Sequence, residues 1–137
     1  VVETKVDGVD VLFVKPLTFM NNSGDCVYAL MRKYKVAVSD ICVVLDDVEL
    51  SAGLVRARPT GSAGSHNGLK SVTNSIGTTD FFRVRVGIDS ITRGTDLAEY
   101  VLRKFDPKTK DNVDIGIDKA VGIVKTFISS GPISDTQ

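Results

Sequence analysis

His66 and Asn67 stand side by side in the run Gly61-Ser62-Ala63-Gly64-Ser65-His66-Asn67-Gly68-Leu69-Lys70, and His66 is the one histidine among 137 residues. Imidazole titrates closer to neutrality than any other unperturbed side chain. A carboxamide both donates and accepts hydrogen bonds. The small residues ahead of the pair let a ligand come close to the backbone. Two readings fit this run equally well: a polar helix cap with a satisfied surface histidine, or the mouth of a site.

Two other segments carry groups that could work with it. Asn21-Asn22-Ser23-Gly24 follows an apolar strand across a loop, and Asp46-Asp47 closes the apolar run Ile41–Leu45. In open α/β sheets, ligands bind outside the carboxyl ends of the strands. A carboxylate, an imidazole and two carboxamides would then meet around one cleft. Asp46 near the imidazole would favour its charged form and hold its tautomer. Asp47 reads as the solvated member of the acidic pair. Each residue also has a plainer reading: Asn21 as a turn or cap, Asp46 as a solvated strand end.

The basic residues fall on strands. Leu54, Arg56 and Arg58 alternate with Val55 and Ala57, and Arg83 and Arg85 alternate with Val84, Val86 and Ile88. Both sets are expected to point outward, as ordinary solvent-facing residues or, with Lys70, as a stripe that meets phosphates. Phe19 reads as core, or as an aromatic that stacks on a base or lines a peptide groove.

These groups need a frame to hold them. Val9–Val14 reads as a strand closed by Lys15-Pro16, and Ile41–Leu45 as a buried central strand. Gly53–Arg58 and Phe82–Ile88 read as further strands. Ser23 or Asn22 is expected to cap a helix running to about Tyr34, with Val27, Leu30, Met31 and Tyr34 on one face. Gly68–Ile76 reads as a short helix, Asp96–Leu102 as another, and Pro59–Ser65 as a flexible loop. The last helix starts at Asp106-Pro107 and carries an apolar stripe of Val113, Ile117, Ala120, Val121, Val124, Phe127 and Ile128. The tail after Gly131 reads as frayed. Strands alternating with helices predict one α/β domain over residues 1–137, with a mixed, twisted sheet flanked by helices.

Composition sets outer bounds. Hydrophobic residues make up 42% and charged residues 25%, ordinary for a globular chain, and the formal net charge is zero. That balance argues against gripping nucleic acid by bulk charge and leaves room for a local basic patch. No apolar run approaches the ~20 residues that span a bilayer, so no membrane partner is expected. Val1 opens the chain, which reads as processed or trimmed. Cys26 and Cys42 lack metal-ligand spacing and read as buried thiols of a reducing compartment, cytoplasmic or an organellar matrix. Neither a metal nor another cofactor is expected, and GxGxxG, P-loop and GxSxG patterns are all missing.

Four blocks, in order along the chain, resemble the bacterial-type peptidyl-tRNA hydrolases. Lys15-Pro16-Leu17-Thr18-Phe19-Met20-Asn21-Asn22-Ser23-Gly24 resembles that family's Lys-Pro-x-Thr-Phe-Met-Asn-x-Ser-Gly block. Val43-Val44-Leu45-Asp46-Asp47-Val48-Glu49-Leu50 resembles its strand centred on His-Asp-Glu-Leu-Asp-Leu. Gly64-Ser65-His66-Asn67-Gly68-Leu69-Lys70 resembles its Gly-Gly-His-Asn-Gly-Leu-Lys block, and Phe82-Arg83-Val84-Arg85-Val86-Gly87-Ile88 its Phe-x-Arg-Leu-Arg-Ile-Gly-Ile strand. Tyr100-Val101-Leu102 with Phe105 resembles the start of its lid region.

The resemblance implies hydrolysis of the ester between a peptide and the 3′ ribose of its tRNA, by a monomer. Asn21 and Asn67 would hold the peptide–tRNA end and orient the attacking water. Asp46 would tune a catalytic histidine, and Phe19 would line the cleft. His66 would sit beside the cleft and assist at the tRNA end, while Lys70, Arg56 and Arg58 would meet tRNA phosphates. The chain also departs from the family pattern. The opening Gly-Leu-Gly-Asn-Pro-Gly turn and the Thr-Arg-His-Asn block that carries the family's general base are not in it, and Leu45 stands where the family has a histidine. Three expectations follow: a partial record of a full enzyme, a non-catalytic tRNA- or RNA-binding paralogue, or His66 as a replacement base.

Overall fold

Asp7 and Gly8 both take left-handed backbone angles, with φ of 49° and 81°. Two such residues in succession match the twist of paired strands and make the tightest hairpin. They join β1 (Val2–Val6) to β2 (Val9–Phe13) in an antiparallel pair that runs from Val2 opposite Phe13 to Val6 opposite Val9. The sequence reading omitted β1, although an Asp-Gly pair between alternating segments is the usual signal for it. The computed structural model describes residues 1–64, 66–89 and 107–132. The expected helix at 96–102, Tyr100, Phe105, the cap Asp106 and the final residues of the tail lie outside that set.

A separate three-stranded sheet forms the centre. It comprises β3 (Cys42–Asp47), β4 (Val55–Arg58) and β5 (Phe82–Gly87), in the order β3-β5-β4. β5 runs parallel to β3 and antiparallel to β4, so the sheet is mixed, as expected. β3 was expected at the centre but, among the described residues, lies at an edge. Its Val44 is 53% exposed, because β5 takes the central place.

Helices cover both faces. Val55, Ala57, Phe82, Val84 and Val86 pack on α3 (Pro107–Ser130) through Ala120, Ile123, Val124 and Phe127. The Phe82 and Phe127 rings stack with centroids 5.0 Å apart. The expected stripe of α3 needs a correction: Ile117 and Val121 are exposed, and Gly116 takes the inward place between Val113 and Ala120. A Cβ on Gly116 would lie 3.5 Å from Val86 and 3.6 Å from Gly53, so this small residue lets α3 sit close to the sheet. On the opposite face, Leu45 and Phe81 meet Leu69 and Val72 of α2 (Asn67–Ile76), with Val27 of α1 (Ser23–Tyr34) beside them. Among the described residues, no helix is long and apolar enough to cross a membrane.

Candidate functional site

His66 is the N-cap of α2. Its Nδ1 accepts a hydrogen bond from the Leu69 amide at 3.1 Å. A backbone N–H can only donate, so Nδ1 carries the lone pair, and in the neutral ring Nε2 carries the proton. Nε2 lies 2.9 Å from Asp46 Oδ1 at the end of β3 and donates to it. One ring thus caps a helix and bridges to a carboxylate on a different element. The helix-cap reading of the His66 run holds, and the same ring also reaches a carboxylate. The bond from His66 holds the Asp46 carboxyl below the ordinary carboxylate range, against a burial effect that pushes it up.

Asp47 is the more enclosed of the acidic pair, which reverses the expectation. Its side chain is 14% exposed against 38% for Asp46. Asp47 Oδ1 accepts from the Glu49 amide at 2.8 Å, and Oδ2 lies 3.7 Å from Arg85 Nη1. Arg85 in turn donates to the Ser62 carbonyl at 2.7 Å. Arg83 and Arg85 were expected to face solvent. Instead both turn onto the loop that leads to His66, and Arg83 is 1% exposed. The loop is also pinned by Thr60 Oγ1 donating to Asp80 and by Ala63 packing on the core under α2. It is a braced segment where a flexible one was expected.

The turn that carries Asn21 packs near the same end of α2. It is a single 3-10 turn, Met20–Asn22. Two glycines set that approach. A Cβ on Gly68 would fall 2.5 Å from Met20 Sδ, and one on Gly24 would fall 2.1 Å from the Ser71 carbonyl oxygen. The Gly24 amide donates to Ser71 Oγ at 2.8 Å, which ties α1 to α2. Neither expected cap of α1 forms. Asn22 occupies the N-cap position without a side-chain bond, and Ser23 Oγ turns back to the Met20 carbonyl. Met20 and Ser71 were not singled out in the sequence. Only the glycines facing them could have pointed there.

Asn21, Asn67 and Lys70 are exposed, and Phe19 is 81% exposed, so it belongs to the surface and not to the core. Arg56 and Arg58 are half-buried on β4, directly opposite Arg85 and Arg83 on β5. Like charges placed across a strand pair repel. Turning Arg83 and Arg85 onto carbonyls and Asp47 eases that repulsion. Arg56 Nε is enclosed with no hydrogen-bond partner among the described residues. The thiol of Cys42 is pushed up to about 12 by burial, so it stays protonated at neutral pH and offers no nucleophile. Around the start of α2 the described residues bring together a histidine-bonded carboxylate, the exposed carboxamide of Asn67 and the turn that carries Asn21.

The family model for peptidyl-tRNA hydrolase matches residues 1–137. The chain is 42% identical over 126 residues to the peptidyl-tRNA hydrolase of Staphylococcus haemolyticus, a match covering 92% of this chain and 66% of that protein. Against the Desulfitobacterium hafniense protein of the same name it is 43% identical over 131 residues, covering 96% of this chain and 71% of that one. The crystal structure of peptidyl-tRNA hydrolase from Acinetobacter baumannii superposes with a TM-score of 0.86 at 29% identity, covering 93% of this chain and 64% of that one. The chain thus spans about two thirds of the length of such relatives. With its fold and its sequence blocks both matched, this chain belongs to the peptidyl-tRNA hydrolase family.

Proposed function

We propose that the protein hydrolyses the ester linking a peptide to the 3′ ribose of tRNA, acting on peptidyl-tRNA as a monomer. Water adds to the peptide carbonyl carbon, the bond to the ribose oxygen breaks, and that oxygen leaves with a proton as the free tRNA hydroxyl. Asn21 and Asn67 bind the acylated end and orient the water, and Phe19 lines the cleft beside the peptide. Asp46 tunes the histidine it touches. Lys70, Arg56 and Arg58 meet phosphates. The observation that carries this reading is the gathering of the Asn21 turn, the Asp46 strand end and the His66-Asn67 cap at one end of α2.

His66 has no lone pair to offer a water. Nδ1 is committed to the Leu69 amide and Nε2 to Asp46. We therefore assign His66 to positioning, and a general base is worth about 10²–10⁴ in rate. This observation favours a second reading, in which the chain binds tRNA without turnover. Release of tRNA from an N-blocked aminoacyl-tRNA separates the two. Turnover that falls in Asn21→Ala and Asn67→Ala supports hydrolysis. Tight binding with release no faster than in buffer supports the second reading, and no binding at all removes both.

Phosphate binding has its own signature. Removing one phosphate-neutralising cation flattens the log–log dependence of tRNA affinity on salt by about 0.9, or about 0.7 for single strands. Arg56→Ala and Arg58→Ala are each expected to do so. An unchanged slope, measured by fluorescence anisotropy across salt concentrations, would take that residue out of the interface.

A further inference from the structure

Arg83 is a guanidinium that the proposed reaction does not use, and it is 1% exposed. Removing such a cation from water is costly unless its donors are met. Among the described residues no carboxylate pairs with it. Its partners are carbonyl oxygens from two separate turns. Nη1 donates to Gly61 at 2.7 Å, in the loop after β4. Nη2 donates to Thr79 and to Phe81, and Nε donates to Phe81 at 3.3 Å, both residues lying just before β5. The guanidinium also lies over the Phe81 ring, 4.3 Å from its centre, and Phe81 belongs to the core under α2.

We propose that Arg83 is a positioning residue that sets the seat of His66 and Asn67 by holding the Gly61 carbonyl of their loop against the Phe81 core. Strand alternation places Arg85 two residues on, where it holds the next carbonyl, Ser62, and also faces Asp47. Successive carbonyls are thus gripped by alternate residues on one face of a single strand. Little slack remains between that grip and the cap. The Gly64 amide donates to Ser62 Oγ, and the His66 amide donates to the Ala63 carbonyl. A shift at Gly61 therefore passes to His66, whose ring reaches Asp46 at 2.9 Å only from its present seat. The planar fork is what the place requires. Lysine keeps the charge but offers a point cation that cannot serve three diverging carbonyls.

The sole histidine makes the test direct, because imidazole ¹⁵N signals have one source. In the whole chain, the wild-type ring is expected to show the Nε2–H tautomer alone. In Arg83→Lys that bias is expected to be lost, with the two nitrogens averaging. Affinity for a tRNA acceptor minihelix should also fall on the order of tenfold, about 1.4 kcal/mol, with the salt slope unchanged. This second consequence rests on the proposed function and the first does not. If the wild type fails to bind the minihelix, the tRNA reading falls and the ring signals still decide the role of Arg83. Wild-type ring signals in Arg83→Lys would overturn the proposal. So would rescue of affinity by Lys where Gln fails, since charge alone would then be the requirement. If neither variant folds, the wild type decides by scalar coupling across the hydrogen bonds from the Arg83 nitrogens to the Gly61 and Thr79 carbonyl carbons. Its presence upholds the grip and its absence removes it.

Discussion

Gly24→Ala is expected to cost about 2–3 kcal/mol of stability, on the order of 10 °C in Tm. Local preference alone points the other way. Gly24 lies in the first turn of α1, and alanine is favoured over glycine in a helix by up to about 1 kcal/mol. Packing decides the sign. The new methyl would fall 2.1 Å from the Ser71 carbonyl oxygen and 2.4 Å from Ser75 Oγ. The hydroxyl can rotate away, but the carbonyl belongs to the backbone of α2 and cannot. Carbon–oxygen contacts settle near ~3.3–3.6 Å, so the two helices must part by more than an ångström. Parting them breaks the Gly24–Ser71 bond and draws the Asn21 turn off the end of α2. Gly122→Ala is the internal control. That glycine is exposed in α3 with nothing within 4 Å of its would-be Cβ, so the same substitution should stabilise by about 0.5–1 kcal/mol. Thermal unfolding of the two variants checks both signs. Equal shifts would show that helix preference, and not the close approach of α1 to α2, governs Gly24.

His66→Ala is expected to cost about 1.5–2 kcal/mol and to change the acid limb of the stability curve. The lost cap contributes about 1 kcal/mol. The lost bond to Asp46 adds a share at the low end for a charged acceptor, because Asp46 is 38% exposed and water can replace the ring. His66→Asn separates the two, since asparagine caps a helix but cannot span to Asp46, and it should recover only the first part. The pH dependence follows from the Asp46 carboxyl, which the bond from His66 holds below its ordinary value. A carboxyl depressed in the folded state stabilises fully above its unfolded value of about 3.9, and that contribution is lost as pH falls through the folded value. Without His66, burial dominates and pushes the carboxyl up, so this contribution disappears. Wild-type stability should fall more steeply than that of either variant from about pH 5 downward. Parallel curves in denaturant titrations at several pH values would remove the Asp46 bond from the account.

Most of the frame was legible because its signals are local. Apolar runs of strand length and proline at the head of a long amphipathic segment each need only their neighbours, and so did the Asp-Gly pair before β2 that the sequence reading passed over. The order of the strands was less accessible. Nothing within Ile41–Leu45 distinguishes an edge from a centre, and the answer depends on β5, which arrives some forty residues later. Arginine faces failed for a related reason. Arg83 and Arg85 alternate like a solvent face, and their partners are carbonyls, which any residue can supply. Asp46 was expected near the imidazole and lies 2.9 Å from it, but the double use of one imidazole needed the backbone of α2. The acidic neighbours were ranked in the wrong order because Asp47 is enclosed by a turn of its own and by Arg85.

The central place of β5 also fixes an order of assembly. β3 and β4 both precede β5 and neither pairs with the other, so a nascent polypeptide synthesised only as far as Asp80 carries two flanking strands with no ladder between them. The carboxylate on β3 and the cap beyond β4 acquire a common support only when Phe82–Gly87 has left the ribosome. The support shared by Asp46 and His66 therefore forms only after both flanking strands exist, and their middle strand supplies it.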